Sequence, residues 1–277
     1  MPKNAHIHSR IVVPLAFALL LLFLLAPSTF AHTRGASLVG PKSHYLALGD
    51  SLAFGYQPDL DFNHGYVDNF YSNLQSHGTN SLANMACPGE TSVTFLNGNC
   101  PNSYLRKFPY IDSQLNAALL YLALYCGQVS PVTLDIGAND VKQDIDLKTC
   151  VVNTQQFATD LATLDNNLKQ TILPKLHAAL MVNGQLTGDL VLMNYYDPYQ
   201  NICPNSVSFT EGINQHLAAD VSGYGTIVNV FKAFGGATTP NPNICPYMWM
   251  CSIFQDIHAT NKGYSVIATT FEKGTGY

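Results

Sequence analysis

Ser51, Gly89, Asn139 and His258 lie far apart in the chain, yet their types suit one reaction, the transfer of an acyl group. A serine hydroxyl is a weak nucleophile until a base takes its proton, and a histidine does this near neutral pH. The tetrahedral intermediate carries an oxyanion, which needs hydrogen-bond donors arranged around it in advance. The backbone N–H groups of Ser51 and Gly89 and the side-chain amide of Asn139 offer three. Glycine lets the backbone approach a substrate closely, and asparagine donates without adding charge. Taken singly, each residue has an ordinary structural reading. Gly49-Asp50-Ser51 reads as a turn and Pro88-Gly89 as another. Asn139 and Asp140 read as a helix cap, and His258 as a surface histidine. The chemical reading requires that the fold bring all four to one place.

Short apolar runs bounded by Gly, Pro or Asn predict strands buried on both faces at residues 45–48, 81–85, 131–136, 190–195 and 226–230. Helical spacing fills the gaps. Leu115, Ala118, Leu119 and Leu122 share one face, as do Phe157, Leu161, Leu164 and Leu168, with Pro174 expected to end or kink the second helix. Residues 209–221 and 260–271 complete the set. Strand and helix in alternation predict an α/β fold: a three-layer α/β/α sandwich around a central parallel sheet of about five strands. Such sheets bind ligands outside the carboxyl ends of their strands. Gly49-Asp50-Ser51 follows the first strand, NMACPGETS (84–92) closes the second and GANDV (137–141) follows the third. FQDIHATNKGY (254–264) comes after the fifth. One rim would collect Ser51, Gly89, Asn139 and His258.

In these four blocks the chain resembles the GDSL, or SGNH, esterases and lipases. The matching stretches are GDSLAFGY at 49–56, the Gly89 turn, GAND at 137–140 and DIHATNKGY at 256–264. The resemblance spans roughly residues 43–273. It implies a flavodoxin-like sandwich with Ser51 as nucleophile and His258 as base. It also implies an oxyanion hole from Ser51 N–H, Gly89 N–H and the Asn139 side chain, with no cofactor. The G-x-S-x-G elbow of α/β-hydrolases is absent. One departure stands out. The family places its acid three residues before the histidine, and that position here is Gln255, with Asp256 only two before. Two residues apart in an extended segment, side chains share a face. Asp256 is therefore the preferred partner of His258; Gln255 and a backbone carbonyl near Cys251 are the alternatives.

The expected activity is hydrolysis of carboxylic esters, on a small molecule or a polymer. A carbohydrate O-acetylesterase is the alternative within that chemistry, with Tyr56, Tyr66, Tyr195 and Tyr199 near the rim as stacking candidates. A binding protein that kept the fold is the alternative outside it, and Gln255 is its one sign.

Lys3 and Arg10 precede an apolar run at 11–26, and the small residues of Thr29-Phe30-Ala31 follow it. This pattern predicts a secretory signal peptide at 1–31 and a single domain at 32–277, hence an extracellular protein. The run contains a proline and is shorter than the ~20 residues of a membrane span; an uncleaved anchor is the lesser reading. The formal net charge is −5, and losing the leader makes it more negative by two. No basic cluster remains, so nucleic acid is not an expected partner. Seven cysteines in an exported chain predict disulfides with one sulfur left over. Cys87 and Cys100 enclose the loop carrying Gly89 and form one expected bridge; a second involves Cys245. No CxxC or HExxH spacing occurs, so no metal is expected. His44, His64, His77, His177 and His216 read as ordinary surface or packing residues. No stretch resembles a long lid; residues 97–109 are the one region where a lid is left open.

Overall fold

Five strands form the sheet: β1 (His44–Gly49), β2 (Ser81–Asn84), β3 (Val129–Asp135), β4 (Leu190–Met193) and β5 (Thr226–Val228). Their order is β2-β1-β3-β4-β5, and every pairing is parallel. The chain winds outward from β1 in both directions, so β1 and β3 lie at the centre. All seven residues of β3 are buried, as the near-continuous apolar run required.

Five principal helices cover the sheet: α1 (Tyr66–Gln75), α2 (Gln114–Leu124), α3 (Thr154–Asn167), α4 (Ser206–Val221) and α5 (Asn261–Thr275). On one side α1 packs against α5, where the rings of Tyr66 and Phe271 stack with centroids 5.0 Å apart. On the other, α3 packs against α4, and α2 against the helical segment Leu173–Ala179. The result is the expected three-layer sandwich. The computed structural model describes residue 1 and residues 38–277, and Leu38–Tyr277 forms one unit. The leader expected at 1–31 lies outside the described residues. Among the described residues, no helix is long and apolar enough to cross a membrane.

Pro174 does not end its helix. The chain passes from α3 through a π-turn, Leu168–Ile172, into Leu173–Ala179, with Pro174 in the first turn of that segment. The wider turn carries an N–H of Leu173 to the Leu168 carbonyl, five residues back. A proline lacks the N–H that the ordinary ladder needs, and the rewound turn accommodates the loss.

Three disulfides join segments that follow the strands: Cys87–Cys100, Cys150–Cys203 and Cys245–Cys251. The first was expected, and Cys245 does form a second. The partnership of Cys150 with Cys203 had no sequence signal. Cys126 is the free, exposed thiol.

Candidate active site

β1 ends at Gly49, whose φ is +133°. A Cβ there would lie 1.6 Å from Asp135 Oδ1, so only glycine allows β1 and β3 to meet this closely. The chain then turns into a short helix, Ser51–Phe54, capped by the Asp50 carboxylate, which accepts the Leu52 N–H at 2.9 Å. Ser51 is the first residue of that helix, at the carboxyl end of the central strand. Gln114 on α2 secures the corner. Its Oε1 accepts the Gly49 N–H at 2.6 Å, and its Nε2 donates to the Gly49 carbonyl and to Glu90. One glutamine thus joins the tip of β1 to the turn holding Gly89.

His258 lies on the return arm of a loop closed by a bridge between Met248 and Ala259. The Trp249 N–H donates to the His258 carbonyl at 3.0 Å, and the Tyr196 hydroxyl to the Ile257 carbonyl at 2.9 Å. So held, His258 places Nε2 at 2.8 Å from Ser51 Oγ and Nδ1 at 2.6 Å from Asp256 Oδ1. A carboxylate accepts and cannot donate, so Nδ1 carries the proton and Nε2 is left to receive one. Of the three partners left open for His258, Asp256 is the one in contact. Gln255 is exposed and takes a left-handed φ of +46°. The chain turns there, which swings Asp256 onto the imidazole. Burial by itself would raise the Asp256 pKa, but the hydrogen bond and charge of His258 outweigh it and hold the carboxyl below its ordinary value.

Gly89 has φ +88° and Gly137, which opens the short helix Ala138–Val141, has φ +121°. Among the described residues, neither the Ser51 nor the Gly89 N–H has a protein acceptor. Asn139 Nδ2 donates to the Glu90 carbonyl at 3.0 Å and faces Asp50 Oδ2 at 3.3 Å. Ser51, Gly89, Asn139, Asp256 and His258 all line one open cleft of about 440 Å³. The structure brings together every site residue expected from sequence.

A second cavity, of about 100 Å³, adjoins the first and shares Ser51, Asn139 and His258 with it. Val141, Ile145, Tyr196, Phe209, Ile213 and Ile257 give it an apolar lining. Tyr195 and Tyr199 border this cavity, while Tyr56 borders the open cleft, its ring 4.6 Å from His258. Tyr66 is not at the rim at all. It is fully buried on the apolar face of α1, where its ring stacks on Phe271. Residues 102, 104 and 105 form a wall of the open cleft, tied back by Asn102 Nδ2 donating to the Pro88 carbonyl at 2.9 Å. The other histidines engage elsewhere: His177 with the Tyr224 carbonyl, His216 with Asp165, His64 with Asp61.

The acids behind the nucleophile were not among the expected site residues. Asp50 and Asp135 are both buried, and Asp135 Oδ1 accepts the Asp50 N–H at 3.3 Å. Burial pushes the Asp50 carboxyl up to about 6, opposed by hydrogen bonds from Leu52 and the Tyr195 hydroxyl and by the charges of His258 and Lys142. Burial, then the Asp50 charge, pushes Asp135 well above its ordinary value. The acid within PVTLDI was the available signal for Asp135, because an ionisable group inside a fully buried strand has a reason to be there. Tyr195 was expected only as a stacking candidate near the rim, and Gln114 had no signal.

The family model of the GDSL-like lipase/acylhydrolase family matches residues 47–266. No curated protein matches the chain. Among solved structures, a lipase from a goat rumen metagenome aligns at TM-score 0.58 and 18% identity, covering 83% of this chain and 96% of its own. An acetylxylan esterase from Geobacillus stearothermophilus aligns at 0.52 and 16%, covering 86% and 96%. A phospholipase A1 from Streptomyces albidoflavus NA297 aligns at 0.51 and 15%, covering 84% and 99%. At these identities the likeness is one of fold.

Proposed function

Because the chain belongs to the GDSL-like lipase/acylhydrolase family, we propose that it is an exported carboxylic ester hydrolase working through an acyl-serine intermediate. The observation that carries the reading is the unbroken run of hydrogen bonds from Asp256 to His258 to Ser51, at 2.6 and 2.8 Å. Ser51 Oγ attacks the ester carbonyl while His258 Nε2 takes its proton. Asp256 stabilises the imidazolium that forms. The carbonyl oxygen becomes the oxyanion, received by the N–H groups of Ser51 and Gly89 and by Asn139 Nδ2. Collapse of the intermediate breaks the ester C–O bond, and the alcohol leaves with the proton from His258. Water, deprotonated by the same imidazole, then attacks the acyl-serine and releases the acid.

The two cavities divide the substrate. The apolar lining of the smaller cavity suits the acyl group, and the larger cleft the alcohol. The apolar cavity, about 100 Å³ beside a cleft of about 440 Å³, is the smaller of the two. A short acyl chain is therefore the preferred substrate. The carbohydrate O-acetylesterase reading draws on the open side, where Tyr56, Phe62 and Tyr104 set rings beside Asn102. A binding-only protein rested on Gln255 and loses that support with Asp256 against His258. Export is supported by the three disulfides, which persist in oxidising compartments.

The test is hydrolysis of p-nitrophenyl esters from acetate to laurate, with acetylated xylo-oligosaccharides in parallel. Activity should peak at short chains, and Ser51→Ala should remove nearly all turnover in a folded protein. A fully active Ser51→Ala ends the serine-esterase reading. A peak at laurate overturns the assignment of the smaller apolar cavity to the acyl group.

A further inference from the structure

We infer that Lys142 is a positioning residue of the oxyanion site: its ammonium holds the Asn139 amide in the orientation that presents Nδ2–H to the rim. The inference rests on the ester-hydrolase reading above. Lys142 directly follows the short helix carrying Asn139, and its Nζ donates to Asn139 Oδ1 at 2.9 Å. The other end of the same amide meets acceptors, the Glu90 carbonyl at 3.0 Å and the Asp50 carboxylate at 3.3 Å. The amide dipole thus lies between a cation at its oxygen and an anion at its nitrogen. A flip would set Oδ1 against the two acceptors and the NH₂ group against the ammonium. All three contacts would turn repulsive.

The two N–H bonds of this amide are not equivalent. Glu90 holds one at ordinary hydrogen-bond length. The other makes only the longer contact to Asp50 and is the one left open to an oxyanion. Asp50 competes for that hydrogen. Lys142 works against the competition by drawing electron density through Oδ1, which makes the N–H a stronger donor. Among the described residues, Lys142 is the only lysine or arginine lining either cavity, and it lines both. Its side chain is exposed, so replacing it removes no core packing.

The test is steady-state kinetics on p-nitrophenyl butyrate for Lys142→Met, Lys142→Arg, Asn139→Ala and the double variant Asn139→Ala/Lys142→Met. Lys142→Met should lower kcat about tenfold with KM held within about twofold, short of the hundredfold or more expected for Asn139→Ala. Lys142→Arg should restore most of the loss. On the Asn139→Ala background, Lys142→Met should cost nothing further, because the residue acts through the missing amide. An unchanged kcat in Lys142→Met overturns the inference. So does a full additional loss in the double variant, or a raised KM at constant kcat, which would make Lys142 a substrate contact. Ser51→Ala runs alongside. If it stays active, the ester-hydrolase reading falls and this inference with it. If it is inactive while Lys142→Met matches the parent, only the inference falls.

Discussion

At the scale of single residues, the spacing around His258 departs most from the family pattern. The family's Asp-x-x-His becomes Gln255-Asp256-Ile257-His258, and the acid still reaches Nδ1 because Gln255 turns the chain through a left-handed conformation. Asp256 also accepts the His258 backbone N–H at 2.8 Å, so one carboxylate oxygen fixes both main chain and ring. Asp256→Asn should lower kcat by about 10³- to 10⁴-fold, since an amide can no longer hold the required tautomer or balance the imidazolium. Gln255→Ala should stay within a few-fold of the parent. Measuring both variants for kcat across a pH series decides the matter; equal, small effects would leave a Ser51–His258 dyad.

At the scale of elements, the site is assembled from loops that leave the carboxyl ends of strands, and disulfides anchor those loops unequally. Cys150–Cys203 closes a sequence separation of 53 residues, Cys245–Cys251 one of 6. Loop-closure entropy grows with the logarithm of length. The longer bridge should therefore stabilise by about 2 kcal/mol more. Cys150→Ser/Cys203→Ser should cost more stability in urea unfolding than Cys245→Ser/Cys251→Ser. The ranking for activity should reverse, because the short bridge shapes the turn beside the arm that carries His258. Equal losses of stability would refute the entropic account for this chain. The helical layer holds a comparable division of labour: Gln114 sits on α2, far from any strand end in sequence, and yet joins β1 to the Gly89 turn.

At the scale of the whole molecule, buried acids set how stability varies with pH. Burial raises Asp50, Asp144 and Asp220 from an ordinary 3.8 to about 6, aided at Asp144 by the Asp160 charge and opposed at Asp220 by Lys169. In each case the folded state holds its proton to higher pH than the unfolded state. The stability these groups contribute is complete below about pH 4 and is lost as pH rises through about 6. Asp256 has the opposite sign: lowered in the fold, it contributes above its ordinary value and loses that contribution only in stronger acid. His44 is lowered by burial and favours the neutral side, but it is one group against three. The melting temperature should therefore be higher near about pH 5 than near about pH 7.5. Asp144→Asn should flatten part of that slope. Asp144 is buried with both carboxylate oxygens unpartnered, so the neutral amide also avoids an uncompensated charge. Calorimetry from pH 5 to 8 tests this; a melting temperature that climbs steadily over that range would contradict it.

The sheet, its parallel sense and the rim were already legible in the order of the residues. Apolar runs such as 131–136 admit no water on either face, and Gly49 admits no side chain. Ser51, Gly89, Asn139 and His258 were legible because each followed such a strand or, for His258, closed the family's last block. What remained open was everything that depends on contacts between distant segments. Asp256 could be separated from Gln255 only by the direction the loop takes after residue 255. Tyr66 could be removed from the rim only by seeing its ring stacked inside α1 against Phe271. Cys150 and Cys203 could be paired only once two loops far apart in sequence met. Lys142 had no motif at all; its place against Asn139 follows from the turn of one short helix. Local pattern fixes which residues can form a strand or a turn, because sterics and burial act over a few positions. Which side chains face each other across a site is set by how whole elements pack, and that is decided in three dimensions.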